Sequence, residues 1–149
     1  MLKSQLIHPE ILESIAAAGH GSKILIADGN YPAATTLGDN ANLVHLNLAP
    51  GKLTCTEVLE AICSAVPIEA AAVMRTLTEG PYAMTEDPAI WTEFRRILKK
   101  AGNPNKLQRI ERFAFYDAAG ERDVCLTIQT GEQRIYANLL LTIGVVMPG

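Results

Sequence analysis

Apolar positions follow the helical period in three stretches of the chain. In each stretch, apolar residues recur three and four positions apart, which predicts an amphipathic helix. The predicted helices are HPEILESIAAAGHG (8–21), TCTEVLEAICSAV (54–66) and PAIWTEFRRILKKAGN (88–103). Their ends carry matching signals, because Pro9 suits a first helical position and Gly19 suits a helix stop. Thr54 and Glu57 have the spacing of a capping box.

Other stretches are short and apolar, or alternate apolar with polar residues, as β-strands do. The predicted strands are KILIAD (23–28), NLVHLNL (42–48), IEAAAVMRT (68–76), LQRIERFAFY (107–116) and RDVCLTIQT (122–130). The turn DAAGE (117–121) is expected to join the last two, and RIYANLLLTIGVV (134–146) is expected to be strand or irregular. Because helices alternate with strands, we expect an α/β domain whose central sheet is covered by helices. The closing strand–turn–strand predicts a mixed sheet.

Composition narrows the class of protein. The 149 residues suit a single domain, 1–149, and a chain that is 48% hydrophobic and 19% charged is globular. With a net charge of −3 and no basic cluster beyond RRILKK (95–100), we expect no nucleic-acid partner. No apolar run is as long as a membrane span, and MLKSQLIHPEIL (1–12) lacks a signal-peptide core, so we expect no membrane partner and a cytoplasmic location. The three cysteines have no CxxC spacing and are expected to be free thiols.

The familiar catalytic motifs are absent from the sequence. It has no P-loop, GxGxxG, HExxH, GxSxG or metal-spaced Cys/His cluster, so polar residues at the ends of elements are the remaining candidates. His20 is the first of these, because an imidazole titrates near pH 6.5, about the pH of the cell, and two flanking glycines leave room for a ligand. The alternative is an incidental histidine at a helix C-terminus, where the helix dipole favours its charged form.

Two further candidates are charged. Asp28 ends an apolar strand, and ligands of α/β sheets tend to bind at strand ends. Its carboxylate could accept hydrogen bonds from a substrate or from His20, or could simply cap a turn. Arg112 lies inside a predicted strand and needs a partner if it is buried; the alternative is a surface ion pair.

Polar and aromatic side chains complete the candidates. Tyr136 and Asn138 are two residues apart, so in a strand they would point the same way, which suits the neighbouring hydroxyls of a sugar. The alternative is a strand edge with satisfied polar groups. Trp91, Phe94 and Tyr116 could stack on a sugar face, although core packing is the favoured interpretation.

Several stretches together resemble the D-ribose pyranase and L-fucose mutarotase family over residues 8–145. They are AGHGSKILIADGNYPA (18–33), WTEFRRILKKAG (91–102), IERFAFYDAA (110–119) and TGEQRIYANLLLTIGV (130–145). IERFAFYDAA, with its Arg112, resembles the fucose mutarotase branch, whereas YAN is the form found in ribose pyranases; the resemblance is closer to the fucose branch. Lys23 stands where the family often has an acidic residue, and DGNYPA replaces the more usual DAxFPA. The segment MRTLTEGPYAMTED (74–87) is the least family-like and could give the pocket a different shape.

The resemblance implies a cytosolic isomerase that interconverts sugar anomers and, in the ribose branch, pyranose and furanose forms. It implies a three-layer α/β/α fold, no metal, no cofactor, a monosaccharide substrate and a ring-shaped homo-oligomer, often a decamer. It carries the proton donor onto His20, which would act as the general acid and take the proton back. The base could be water, Tyr136 or Asp28. The substrate-binding positions that it implies are Asp28, Arg112, Tyr136, Ala137 and Asn138.

Two rival functions use the same residues. A non-catalytic sugar-binding accessory protein of a transport system would need the same hydroxyl-binding side chains. The other rival is a structural oligomer without sugar binding, in which His20 would do no more than cap a helix.

Overall fold

A computed structural model describes residues 1–103 and 106–149. Within these residues the chain forms four helices and six strands. The helices are α1 (Pro9–Ala17), α2 (Cys55–Cys63), α3 (Ala89–Lys100) and α4 (Arg112–Ala119). The strands are β1 (Lys23–Ala27), β2 (Asn42–His45), β3 (Ile68–Met74), β4 (Gln108–Ile110), β5 (Val124–Gln129) and β6 (Leu139–Ile143).

The six strands form one mixed sheet in the order β2-β5-β1-β6-β3-β4. Strand β1 pairs in parallel with β5, β5 with β2, and β3 with β4. Strand β6 runs antiparallel to both of its neighbours, β1 and β3. The predicted mixed sheet is therefore confirmed, but β6 causes it and the expected closing strand–turn–strand does not.

Helices cover both faces of the sheet. Alternate residues of β1 belong to two separate cores, as the pleat of a strand requires. Ile24 and Ile26 pack in the core that contains the buried residues of α1, α2 and α3. Leu25 and Ala27 pack on the opposite face, in the core that contains Phe115 of α4. The expected three-layer α/β/α fold is confirmed.

The three predicted helices all form. At the start of α2 both hydrogen bonds of the capping box between Thr54 and Glu57 are present, so two otherwise unpaired backbone N–H groups are satisfied. In α3 the side chains of Trp91 and Phe94 are fully buried. Core packing, the favoured interpretation of these two aromatic residues, is confirmed.

The predicted strand 107–116 is wrong beyond its first few residues. The short strand β4 forms there and is followed directly by helix α4. The helix also includes most of the residues at which a turn was expected, 117–121. Glu111 caps the helix, because its carboxylate accepts hydrogen bonds from the N–H groups of Phe113 and Ala114. The alternation of apolar residues imitated a strand, whereas the buried pair Phe115 and Ala119 has helical spacing.

The stretch 134–146, expected to be strand or irregular, is both: β6 forms within it, and the backbone at Tyr136 and Asn138 is irregular. Both residues precede β6, and the φ angle of Tyr136 is 59°, in the left-handed region that a strand excludes. All three cysteines are free thiols, as expected. Burial raises the pKa of Cys55 to about 12 and that of Cys63 to about 11. Across the described residues, none of the helices is long and apolar enough to cross a membrane.

Candidate active site

A cavity of about 340 Å³ opens at one edge of the sheet. It contains four of the six site residues expected from the sequence, namely Asp28, Arg112, Tyr136 and Asn138. The other residues that line it are Asn30, Tyr31, Met74, Leu77, Tyr82, Tyr116 and Ile135. Its volume is within the usual range of small-molecule sites, about 300–1,000 Å³.

The topology of the sheet brings these residues together. Because β6 is antiparallel to both β1 and β3, the carboxyl ends of β1 and β3 and the amino end of β6 meet at the same edge. Asp28 follows β1, Met74 ends β3, and Asn138 precedes β6. Arg112 reaches the same edge because α4 begins directly after β4, which runs parallel to β3. This edge is where ligands of open α/β sheets bind.

Asp28 is the buried carboxyl of the cavity, with 3% of its surface exposed. Its Oδ1 accepts a hydrogen bond of 2.9 Å from the N–H of Asn30, and its own N–H donates to Oδ1 of Asn138 at 2.9 Å. Burial raises the pKa of Asp28, and the nearby Glu132 carboxylate adds to the rise. Hydrogen bonds from backbone N–H groups, including that of Ala137, oppose it only in part. Such a carboxyl takes up a proton more readily than a free aspartate.

Ala137 contributes through its backbone. Its side chain is fully buried in the core, and its N–H is one of the groups that hold the Asp28 carboxylate. The side-chain amide of Asn138 is fixed by its bond to the Asp28 backbone. The YAN segment therefore shapes the site largely by orienting Asp28.

The hydroxyl of Tyr136 is already engaged within the protein. It donates to the carbonyl oxygen of Tyr82 at 2.6 Å and accepts from the N–H of Leu77 at 3.1 Å. On the backbone side, the indole N–H of Trp91 donates to the carbonyl oxygen of Tyr136 at 2.8 Å. A phenol has one proton to donate, so this hydroxyl can offer a ligand only its remaining lone pair.

Helix α4 brings a cation and an aromatic ring to the cavity. Arg112 is exposed in the first turn, and its guanidinium carbon lies 6.0 Å from the centre of the Tyr116 ring. Tyr116, for which core packing was the favoured interpretation, is half-buried and lines the cavity. The guanidinium can donate several hydrogen bonds to sugar hydroxyls, and the ring offers a flat apolar surface.

His20 lies away from this cavity. It precedes β1, whereas Asp28 follows it, and the five residues of β1 rise about 3.3 Å each, roughly 16 Å in all. The side chain of His20 is 58% exposed, and its Nε2 lies 2.9 Å from Oε2 of Glu69. Within one copy of the chain, the imidazole and the Asp28 carboxyl are therefore at opposite edges of the sheet.

An ion-pair network is centred on the buried carboxyl of Glu132. Glu132 is 3% exposed and accepts hydrogen bonds from the backbone N–H, Nε and Nη2 of Arg134, while Nη1 of Arg134 binds Glu93 at 2.7 Å. Burial alone would raise the pKa of Glu132, but the Arg134 guanidinium holds it below its usual value. Glu132 also accepts from the N–H of Cys55 at the start of α2, so the network ties three elements together.

Sequence reasoning missed the residues that come from loops. Asn30 and Tyr31 were interpreted only as part of a turn. They follow the carboxyl end of β1, where ligands of α/β sheets tend to bind, and this was a signal that could have identified them. Leu77 and Tyr82 lie in the segment 74–87, for which the sequence analysis expected an effect on the shape of the pocket without naming individual residues. No group of three or more His, Cys, Asp or Glu side chains suited to a metal ion occurs among residues 1–103 and 106–149.

Comparison with known proteins finds relatives of this chain in both sequence and fold. The sequence model of the RbsD / FucU transport protein family matches residues 1–146. The fucose mutarotase of Homo sapiens is 33% identical over 146 residues, which cover 95% of this chain and 90% of that protein. The crystal structure of FucU from Bifidobacterium longum has a TM-score of 0.79 and 32% identity, covering 97% of this chain and all (100%) of that one. The fucose mutarotase of Streptococcus pneumoniae in complex with L-fucose has a TM-score of 0.77 and 26% identity, covering 95% of each chain.

The family match, the relatives and the fold confirm the resemblance inferred from the sequence motifs. This chain belongs to the RbsD / FucU transport protein family.

Proposed function

We propose that this protein is a sugar mutarotase that interconverts the anomers of L-fucose. The observation that carries the proposal is the cavity at the strand ends, where a buried carboxyl, a guanidinium and a side-chain amide surround a space suited to one monosaccharide. The human and streptococcal relatives are named as fucose mutarotases, and the latter was solved with L-fucose bound. Interconversion of the pyranose and furanose forms of D-ribose is a further activity to test.

The chemistry needs two proton transfers. Opening the cyclic hemiacetal requires a proton at the ring oxygen and removal of one from the anomeric hydroxyl. Rotation about the bond to the first carbon and reclosure then give the other anomer. No carbon changes its oxidation state in these steps, so acid–base groups alone suffice. We propose that no cofactor takes part.

In this mechanism Asp28, Arg112 and Asn138 hold the sugar. The raised pKa of Asp28 suits a carboxyl that accepts the proton of the anomeric hydroxyl. The proton of the Tyr136 hydroxyl is committed to Tyr82, which favours Asp28 or water over Tyr136 as the base. Tyr136 and Ala137 then support the site indirectly. The hydroxyl of Tyr136 holds Leu77 and Tyr82 in place, and the backbone N–H of Ala137 holds the Asp28 carboxylate.

His20 is the proposed general acid, and it has to come from a second copy of the chain. Roughly 16 Å of strand separates it from Asp28 within one copy, which is far beyond hydrogen-bond reach. An exposed imidazole at the opposite edge of the sheet is available to a neighbouring molecule. We therefore propose a ring-shaped homo-oligomer in which each cavity receives His20 from its neighbour. Three free cysteines suit the reducing cytoplasm as its location.

Anomeric exchange measured by NMR tests this function with L-fucose, D-ribose and D-galactose. We expect the wild-type protein to exchange L-fucose faster than buffer does. His20→Ala should lower that acceleration about 10²- to 10⁴-fold, the usual contribution of one general acid. The control is His45→Ala, at an exposed histidine of β2, which should match wild type. Exchange at the buffer rate with all three sugars would refute the mutarotase function. A His20→Ala variant as fast as wild type would refute only the role of His20.

A sugar-binding protein without catalysis is the second candidate. The position of His20 outside the cavity of its own chain favours it, since the remaining residues could bind a sugar without the general acid. Sugar binding without accelerated exchange would select this function.

A further inference from the structure

The stretch 129–132 runs beside Asp28 and holds its backbone. The side-chain amide of Gln129 donates to the carbonyl oxygen of Asp28. The N–H of Gly29 donates to the carbonyl oxygen of Glu132 at 2.8 Å. The two segments are in close contact, since a Cβ added at Gly29 would lie 3.1 Å from that Glu132 oxygen. The position of the Asp28 backbone therefore depends on where 129–132 lies.

The carboxylate of Glu132 in turn fixes this stretch. Its Oε1 accepts hydrogen bonds from the backbone N–H of Arg134 at 3.0 Å and from Nε of Arg134 at 2.9 Å. Its Oε2 accepts from Nη2 of Arg134 at 2.9 Å and from the N–H of Cys55 at 3.3 Å. Further along the chain lies Asn138, whose amide oxygen accepts from the N–H of Asp28. One buried side chain thus lies at the junction of the two segments that hold Asp28.

Stability alone is a poor reason for burying this carboxylate. Only 3% of the Glu132 surface is exposed, and replacing a buried ion pair by apolar side chains is often neutral or stabilising. The Arg134 guanidinium is also shared, because its Nη1 binds Glu93 at 2.7 Å. Two carboxylates therefore face one cation, and the cluster keeps a net negative charge. Burial raises the pKa of Asp28, and the Glu132 carboxylate raises it further.

The titratable and charged side chains around Asp28 come from the cavity, from α2 and from the stretch 129–132. They are Tyr31, Tyr82, Arg112, Tyr116 and Tyr136 of the cavity, Cys55 of α2, and Glu132. Cys55 stays a neutral thiol, because burial raises its pKa to about 12. Burial also raises the pKa of Tyr31, so its phenol is neutral as well. Among these described side chains, the anion at neutral pH is Glu132.

We propose that Glu132 is a positioning residue for Asp28. Its carboxylate holds the two segments that fix the Asp28 backbone, and its charge keeps the Asp28 carboxyl able to accept a proton from the substrate. Glu132 acts from outside the cavity, since it is not one of the residues that line it. This inference rests on the proposed mutarotase function, in which Asp28 accepts the proton of the anomeric hydroxyl. Without the charge of Glu132, Asp28 would be a weaker base.

Glu132→Gln tests this role, because it removes the charge of the side chain and keeps its size. NMR of the carboxyl carbons of the full-length protein follows the titration of Asp28, and Asp28→Asn identifies its resonance. We expect a lower titration midpoint of Asp28 in Glu132→Gln than in wild type, because an anion near it is gone. Anomeric exchange of L-fucose should slow by up to about 10²-fold, the cost of a small displacement of a catalytic group. The dissociation constant of L-fucose should change less than the rate, since Glu132 does not line the cavity.

Two further variants serve as controls. Glu93→Gln removes the other carboxylate bound to Arg134, and should leave the Asp28 midpoint and the exchange rate near those of wild type. Glu132→Asp keeps the charge on a shorter side chain. Its Asp28 midpoint should be higher than in Glu132→Gln, and its exchange should be slower than in wild type because the two segments are displaced. Wild type by itself should show the pKa of Asp28 above 3.8 and that of Glu132 below 4.5, their ordinary values.

The outcomes separate this inference from the proposed function. A lower Asp28 midpoint together with slower exchange in Glu132→Gln would support the inference. An unchanged or higher midpoint, an exchange rate equal to that of wild type, or an equal fall in Glu93→Gln would overturn it. If Glu132→Gln does not fold, an exchange rate of Glu132→Asp equal to that of wild type, or a wild-type Asp28 midpoint at or below 3.8, would overturn it. If wild type exchanges no sugar, the mutarotase function fails, whereas the lower midpoint would still support the positioning of Asp28.

Discussion

At the scale of single residues, the pKa values of two neighbouring buried carboxyls are shifted in opposite directions. Asp28 is held by backbone N–H groups, whose hydrogen bonds offset the effect of burial only in part, so its pKa rises. Glu132 is equally buried, but both of its carboxylate oxygens accept hydrogen bonds from the Arg134 guanidinium, so its pKa is lowered. The protein keeps Glu132 charged as a structural anion and leaves Asp28 as the carboxyl that exchanges protons more easily.

Asp28 should make the fold less stable as pH rises above 3.8, the ordinary value of an aspartate. Its pKa is higher in the folded chain than in the unfolded one, so the folded state binds more protons between the two values. The free energy of unfolding of wild type, relative to Asp28→Asn, should therefore fall as pH rises through that interval and then stay level. Urea unfolding of both proteins over a pH series measures it. A rise of wild type relative to the variant would mean that the folded pKa is lowered.

Tyr136 shows why a residue type in a motif does not specify its role. The motif indicated a hydroxyl for the sugar, whereas the folded chain uses the proton of that hydroxyl on Tyr82. The backbone of Tyr136 is in the left-handed region, which is unfavourable for a bulky residue. Its burial and the hydrogen bond from Trp91 hold it there.

At the scale of elements, Tyr136→Phe should make segment 75–87 more mobile while leaving the sheet unchanged. The change removes the acceptor for the Leu77 N–H and the donor to the Tyr82 carbonyl. The exchange of the Leu77 amide with deuterium should become about 2- to 12-fold faster, as expected for one hydrogen bond of about 0.5–1.5 kcal/mol. Amide exchange followed by NMR measures it.

The control for this change is Tyr82→Phe, which also removes one phenol hydroxyl at the cavity but leaves both bonds of Tyr136 in place. Its Leu77 amide should exchange as in wild type. Equal protection of Leu77 in wild type and Tyr136→Phe would show that the hydroxyl does not fasten the segment.

Helices α2 and α4 show the range of what local sequence can specify. In α2 the apolar stripe and the capping box agree, so the helix was predicted correctly. In α4 only eight residues form the helix, and its short run of alternating apolar residues also fits a strand. The cap at Glu111 and the burial of Phe115 against the sheet favour the helix. That burial depends on residues far along the chain.

At the scale of the whole molecule, the proposed mechanism makes activity depend on assembly, because His20 lies at the opposite edge of the sheet from the cavity of its own chain. Each homogeneous variant, His20→Ala or Asp28→Asn, should exchange L-fucose far more slowly than wild type. When the two are co-expressed and mix at random, about a quarter of the sites should combine an intact His20 from one copy with an intact Asp28 from another. Anomeric exchange of L-fucose by the purified mixture should recover to about that fraction of wild type.

Co-expression of His20→Ala with the double variant His20→Ala/Asp28→Asn is the control, since no pairing of those chains contains an intact His20. It should show no recovery. If the first mixture also fails to recover although the chains assemble together, both groups act within one copy.

The sequence by itself determined the features that depend on neighbours along the chain. Helical and strand periods, the capping box at Thr54 and the polar residues at strand ends are all local, so their pattern was sufficient. Only the tertiary structure decided the remainder: the antiparallel insertion of β6, the helix at α4, the clamp of Tyr136 on segment 75–87 and the separation of His20 from Asp28. These features depend on contacts between residues distant in sequence, and only the burial and hydrogen bonding of the folded chain choose among the alternatives that a local pattern allows.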